Sequence, residues 1–310
     1  MIDAIPESRL KKVLAAGVFT VTAEAVPPLS GDVSPLIGET SRLKGFADAV
    51  NVTDGAGACV QMAASAFLVR EGIEPVLQLT CRDRNRLALQ ADLVGAWALG
   101  VRNILCLRGD NPTAGDQPNS RPIFDLDTQA LLATATRMRE EGKLPGPSSR
   151  DIDEAPRYFI GAADMPVDPE SGWKPETLSR KIGACADFVQ TQFCFDIGIM
   201  ERYADCLRDE GITERLSVLI GLGPIPSAES ARWMRDNLSG AKIPDALVDR
   251  LEGADDPRVE GRRICIELMQ QMREIDGISG DHLMAPRQRE EILGIIKDSG
   301  VLSGRDTSLG

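Results

Sequence analysis

The chain has one histidine, His282, among its 310 residues. Zinc sites built from several imidazoles are thereby excluded, and no metal is expected. Any Ser-His-Asp triad would have to use that one ring. Neither Gly-x-Gly-x-x-Gly nor a P-loop occurs, so no Rossmann or Walker cradle for phosphate is encoded. The cysteines (Cys59, Cys81, Cys106, Cys185, Cys194, Cys206 and Cys265) are odd in number and form no Cys-x-x-Cys. Most have apolar neighbours and read as reduced core thiols of a cytoplasmic protein. No apolar run is long enough to cross a bilayer, so no membrane partner is expected. Residues 1–17 carry Asp3 and Glu7 and lack the continuous apolar block of a signal peptide. Blocks of positive charge are missing too. The net charge is −12 with both signs interspersed, which argues against nucleic acid as a partner.

What is present is a soluble globular composition, 43% hydrophobic and 26% charged. Leu10, Val13 and Leu14 share one side of a short helix over 7–16, stopped by Gly17. Apolar runs then predict strands over 18–24, 48–54, 74–80, 103–107, 157–163, 187–193, 216–222 and 277–283. Helices are predicted over 39–46, 59–71, 127–141, 175–185 and 197–210, and a last one from Pro286 to about 298. Between strands three and four, Asp83 offers a cap to a helix in which Leu87, Ala91, Val94 and Ala98 recur at helical spacing with Trp97 beside them. Asp127 and Ser227 offer further caps, and residues 243–274 read as a helical insertion before strand eight. Residues 301–310 read as a flexible tail. Strands and helices alternate eight times without repeat or linker, which predicts a single-domain (β/α)8 TIM barrel over 1–300. An open doubly wound sheet is the rival.

In such a barrel functional groups stand at the carboxyl ends of the strands. Those ends carry Glu24, Thr53 with Asp54, Thr80, Arg108 with Asp110, Asp164, Gln192 and His282. Glu24 ends an apolar strand just before Ala25-Val26-Pro27-Pro28. Desolvation there, with Asp110 nearby, would raise its pKa and suit it to general-acid work; a solvated rim carboxylate is the alternative. Asp54 reads as a cap for the turn at Gly55. Gln190 and Gln192 fall on one face of strand six, where a buried amide requires a definite partner, a ligand or a loop carbonyl. His282 reads as a capping or packing residue more than a catalytic one. The loop 109–126, rich in Asn, Pro, Gly and Asp, has the length of a binding element or lid.

Read in order, Thr22-Ala-Glu-Ala-Val-Pro-Pro28, Val52-Thr53-Asp54, Leu79-Thr80-Cys81, Leu107-Arg108-Gly109-Asp110, Gly161-Ala162-Ala163, Lys181, Ala186 and Thr191-Gln192-Phe193-Cys194-Phe195 resemble the methylenetetrahydrofolate reductase family over nearly the whole chain. The resemblance implies a (β/α)8 barrel that binds FAD at its mouth. It also implies ping-pong reduction of 5,10-methylenetetrahydrofolate by NADH or NADPH, a reaction that can run oxidatively. Glu24 would be the general acid that assists opening of the imidazolidine ring. Asp110 would sit near pterin and flavin and stabilise the iminium cation. Gln192 and Phe193 would contact the folate. Thr53, Gln78, Arg108, Gly109, Asp110, Ala162, Asp164, Lys181 and Ala186 would line FAD.

Three positions depart from the family pattern. Family members commonly carry His at the position of Gln78, Tyr at that of Asp164, and an acidic residue near that of Lys174. These departures keep two alternatives in view. One is a flavin-free pterin enzyme, either a direct NAD(P)H-to-folate reductase or a methyltransferase. The other is a non-catalytic folate-binding paralogue, against which the presence of both Glu24 and Asp110 argues. A tetrahydrofolate derivative is the expected partner, and a homo-oligomer the expected assembly.

Overall fold

The computed structural model describes residues 7–55, 57, 60–285 and 289–305. The parallel strands, β1 (Thr20–Ala25), β2 (Ala49–Val52), β3 (Pro75–Thr80), β4 (Asn103–Leu107), β5 (Phe159–Asp164), β6 (Phe188–Phe193), β7 (Ser217–Leu222) and β8 (Gly280–Leu283), close in sequence order into a barrel. Closure is made by β1 against β8, with Thr22 opposite His282. The open-sheet alternative is thereby set aside.

Around the barrel lie α1 (Arg9–Ala15), α2 (Ser34–Ser41), α3 (Gln61–Arg70), α4 (Arg86–Ala98), α5 (Thr128–Glu141), α6 (Glu176–Gly183), α7 (Ile197–Asp209), α8 (Ala228–Asn237), α9 (Asp245–Glu252), α10 (Pro257–Met272) and α11 (Arg289–Ser299). Side-chain caps start many of them. Asp127 accepts from Ala130 N–H, Asp196 from Ile199 N–H and Ser227 from Ser230 N–H, which satisfies first-turn donors. Gly142, at φ +63°, ends α5 in the left-handed conformation.

Several expectations are corrected. The cap of α4 is Asn85, which accepts from Ala88 N–H, while Asp83 pairs with Arg82 at 3.1 Å. The face of α4 that packs inward is Leu89, Leu93, Ala96 and Trp97; Leu87, at 72% exposure, and Val94 face outward. Helix α2 begins upstream of the predicted 39–46, with Pro35 in its first turn. The 243–274 insertion is two helices, α9 and α10, the second started by Asp256 and Pro257. Residues 301–305 are not a loose tail: Val301 is buried, and Arg305 Nη1 lies 3.0 Å from both carboxylate oxygens of the buried Asp48. Pro286, Cys59 and residues 306–310 lie outside the described residues.

Two apolar regions result. The larger fills the layer between strands and helices. The smaller, Leu10, Ala49, Val76, Leu105, Phe159, Phe188 and Leu219, fills the barrel's lower interior. Phe159 and Phe188 stack there at 5.0 Å. Gly161 makes room for them, since a Cβ on it would lie 2.3 Å from Phe188 Cζ. Helix α1 stoppers this end with Leu10. Glu74 holds it in place, accepting from Arg9 N–H at 2.7 Å and Leu10 N–H at 2.9 Å, donors that a helix start leaves unpaired.

Candidate active site

Above the apolar floor the inward strand positions turn polar. Thr22, Asn51, Gln190 and His282 form a buried belt, and one turn of the pleat higher Glu24, Ala163 and Gln192 reach the mouth. The mouth opens as a cavity of about 820 Å³, toward the upper end for small-molecule sites. Glu24, Gln78, Asp110, Asp164, Lys181 and Gln192 all line it, so six of the residues singled out from the sequence converge on one space. Leu105, Leu107, Met165, Trp173 and Met284 supply its apolar walls.

Glu24 is half-buried on β1, while Asp110 is exposed in the loop beyond β4. Gly109 lets that loop turn. Its φ is +82°, and a Cβ there would lie 2.7 Å from Thr80 Cβ, so both conformation and space demand glycine. The loop then runs back along β3, where Ile123 N–H donates to the Arg82 carbonyl at 2.7 Å and Phe124 N–H to the Cys81 carbonyl at 3.2 Å. Arg108, exposed, lays its guanidinium 4.2 Å from the Phe124 ring centroid. Asp54, read from the sequence as a turn cap, accepts from Thr80 N–H and Oγ1 at 2.9 Å and from Arg84 Nη1 at 2.7 Å, which ties β2 to β3.

Gln192 owes its aim to an irregularity. The β6–β7 register shifts between Gln190 and Phe193, and Thr191 Oγ1 accepts from Gly221 N–H at 2.9 Å. Such a shift re-aims side chains, and Gln190, Thr191 and Gln192 all line the cavity. The side-chain Oε1 of Gln192 accepts from Phe193 N–H at 3.0 Å.

Asp164 ends β5 facing Lys181, whose Nζ donates to Asp164 Oδ1 at 2.9 Å and to the Ala163 carbonyl at 2.5 Å. The Tyr203 hydroxyl also donates to Asp164. Burial and the neighbouring carboxylate push the Tyr203 phenol's pKa up, so it stays a donor. Lys174, at another position that departs from the family pattern, lines the cavity and pairs with Glu210 at 3.2 Å. His282 is 3% exposed, and burial pushes its pKa down to about 3, which keeps the ring neutral.

Six residues named from the resemblance are absent from the cavity lining, the loop residues Arg108 and Gly109 among them. Ala162 points outward into the helix layer, because alternation gives the inward position to Ala163. Ala186 precedes β6 and so lies at the opposite end of the barrel, buried against the helices. Phe193 stacks on Phe195 at 5.8 Å within the outer core. Thr53 donates its N–H to the Ala25 carbonyl at 3.1 Å, beyond the end of β2 and outside the lining. Trp173, missed from the sequence, enters from the loop after β5 and packs 6.1 Å from the Tyr203 ring. A lone loop aromatic has no periodic signal. Leu105 and Leu107 did have one, the alternation along β4.

The family profile described as Methylenetetrahydrofolate reductase matches residues 9–300. A Caenorhabditis elegans protein named probable methylenetetrahydrofolate reductase (NADPH) is 28% identical over 247 residues, covering 77% of this chain and 34% of that protein. The 5,10-methylenetetrahydrofolate reductase of Salmonella typhimurium is 24% identical over 302 residues, covering 93% of each. The chain thus spans about a third of the nematode relative and nearly all of the bacterial one. Among solved structures, an uncharacterized Clostridium thermocellum protein that binds two copies of 5-methyl-5,6,7,8-tetrahydrofolic acid superposes with a TM-score of 0.63 at 14% identity, covering 94% of this chain and 98% of that one. EDTA monooxygenase from Chelativorans superposes at 0.54 with 10% identity, covering 92% and 94%. These two show a shared fold.

Proposed function

The chain belongs to the methylenetetrahydrofolate reductase family of oxidoreductases, and from that premise we propose that it reduces 5,10-methylenetetrahydrofolate to 5-methyltetrahydrofolate with NADH or NADPH through a bound flavin. The observation that carries this reading is the meeting of Glu24, Asp110 and Gln192 on one cavity with apolar walls.

Opening the imidazolidine ring requires a proton on the leaving nitrogen and leaves positive charge on the other. Glu24, half-buried, is placed to give that proton. Asp110, at the mouth, is placed to stabilise the cation. Gln192 offers its amide to the pterin edge. The carboxylates lining the cavity are Glu24, Asp110, Asp164 and Glu176, against the ammoniums of Lys174 and Lys181. Such a lining favours a cationic intermediate over an anion.

The same lining suits FAD. Leu105 and Leu107 offer apolar contact for a flat ring, Gln78 lines the wall beside it, and Lys181 is a lining cation for its phosphates, while Arg108 lies outside the lining, stacked on Phe124. These residues fit the group. When bound it would relay hydride between nicotinamide and folate, while the protein supplies placement and electrostatics.

The Asp164–Lys181 pair favours a second reading, in which nicotinamide reduces folate directly. An absorption spectrum of the untreated protein separates the two, since bound flavin is yellow. The principal test is formation of 5-methyltetrahydrofolate from the methylene substrate and NADH or NADPH. Glu24→Gln is expected to lower kcat by about 10²–10⁴-fold, and Asp110→Asn by about 10²–10³-fold. Full turnover in both variants would overturn the assignment.

A further inference from the structure

The belt beneath the mouth ends in an imidazole with one nitrogen engaged and the other open. His282 Nδ1 lies 3.0 Å from Thr22 Oγ1. Thr22 Oγ1 accepts from Gln190 Nε2 at 3.0 Å. The Gln190 amide is itself locked by a reciprocal pair with Asn51, accepting from Asn51 Nδ2 at 2.6 Å and donating to Asn51 Oδ1 at 3.0 Å. All four side chains are buried and come from β1, β2, β6 and β8. They form one fixed chain of bonds across the barrel.

Nε2 differs. It has no hydrogen-bond partner among the described residues, and it is not among the polar atoms sealed from solvent without one. His282 lines the cavity. The open nitrogen therefore faces the space in which substrate would lie.

We propose that His282 is a substrate-positioning residue whose Nε2–H donates a hydrogen bond to an acceptor on the pterin ring of the bound folate. The inference rests on the folate reading of this cavity. The shorter distance favours one tautomer. The Thr22 hydroxyl has one proton and two acceptors, His282 Nδ1 at 3.0 Å and the Asp281 carbonyl at 3.3 Å. Donation to the nearer Nδ1 puts the ring proton on Nε2. The Gln190 amide N–H occupies one of the two acceptor sites of the same hydroxyl oxygen. The ring stays neutral because burial opposes its charged form. His282 thus supplies direction and recognition, while Glu24 remains the proton donor.

With one histidine in the sequence, the imidazole spectrum needs no assignment. Long-range ¹H–¹⁵N correlation on the labelled full chain is expected to show the neutral Nε2–H tautomer between about pH 5 and 8. Saturation with 5-methyltetrahydrofolate, followed in parallel by calorimetry, is expected to shift the Nε2 resonance and leave Nδ1 nearly in place. Calorimetric binding with Nε2 unmoved, or the Nδ1–H tautomer, overturns the proposal while sparing the folate reading. No calorimetric binding overturns both. His282→Asn, with its fold checked by circular dichroism, is expected to raise the folate KM about fivefold with kcat near the parent value. An unchanged KM would also overturn it.

Discussion

Asp164 and Lys181 both line the mouth and hold each other at 2.9 Å. Lys181 is further tied to the Ala163 carbonyl, so its charge is partly committed before any ligand arrives. Asp164→Asn keeps an acceptor for the Tyr203 hydroxyl and removes the competing charge. Flavin affinity is expected to rise about two- to fivefold, the scale of a partly exposed ion pair, as read by quenching of FAD fluorescence on titration. A weaker or unchanged affinity would show that Lys181 does not reach the phosphates. Both residues were legible in the sequence as site candidates; their mutual pairing was not. It depends on α6 delivering Lys181 beneath the end of β5, a juxtaposition that no local pattern encodes. Glu24 was the more readable, because an apolar strand that ends on a carboxylate before two prolines has few structural explanations.

At the scale of elements, α1 depends on Glu74 more than on its own seven residues, too few to be stable alone. Glu74→Ala leaves Arg9 and Leu10 N–H without their carboxylate, and the Ser8 and Asn103 side chains bonded to the same oxygen lose it too. A loss of about 1–3 kcal/mol in urea unfolding is expected, with the cavity at the mouth unaffected because it lies at the other end. Equal stability of variant and parent would show that Leu10 alone docks the helix. Strand order and the barrel could be read from hydrophobic periodicity, because buried parallel strands are continuous apolar runs. The facing of α4 could not. Leu87, Ala91, Val94 and Ala98 make one helical stripe and Leu89, Leu93, Ala96 and Trp97 another, and only packing chooses between them. The shift at Thr191–Gln192 was equally invisible, since it arises from pairing with β7.

For the whole molecule, the least comfortable group is Asp281. It is 0% exposed, sits on β8 between Val21 and Ile220, and has both carboxylate oxygens unpartnered among the described residues. Burial pushes its pKa well above the usual carboxylate range. The consequence for stability has a definite sign. Below about pH 4 the group is neutral in folded and unfolded chains alike and its contribution to folding is intact. As pH rises toward the folded value, the unfolded chain ionises and the folded one does not, so stability is lost. Asp281→Asn should therefore match the parent's pH trend least well at neutral pH. Its advantage should be smallest near pH 4 and should grow to more than about 1 kcal/mol by pH 8, measured by urea midpoints across that range. Parallel curves for the two proteins would mean that the carboxyl is solvated.

The stopper formed by Leu10 and the stacked phenylalanines also governs traffic. Among the described residues the vessel is corked at its base, so reactants and products share the one mouth lined by Asp110, Met165 and Trp173. Visitors that need the same spot have to take turns, and a slow departure by one becomes a queue for the next.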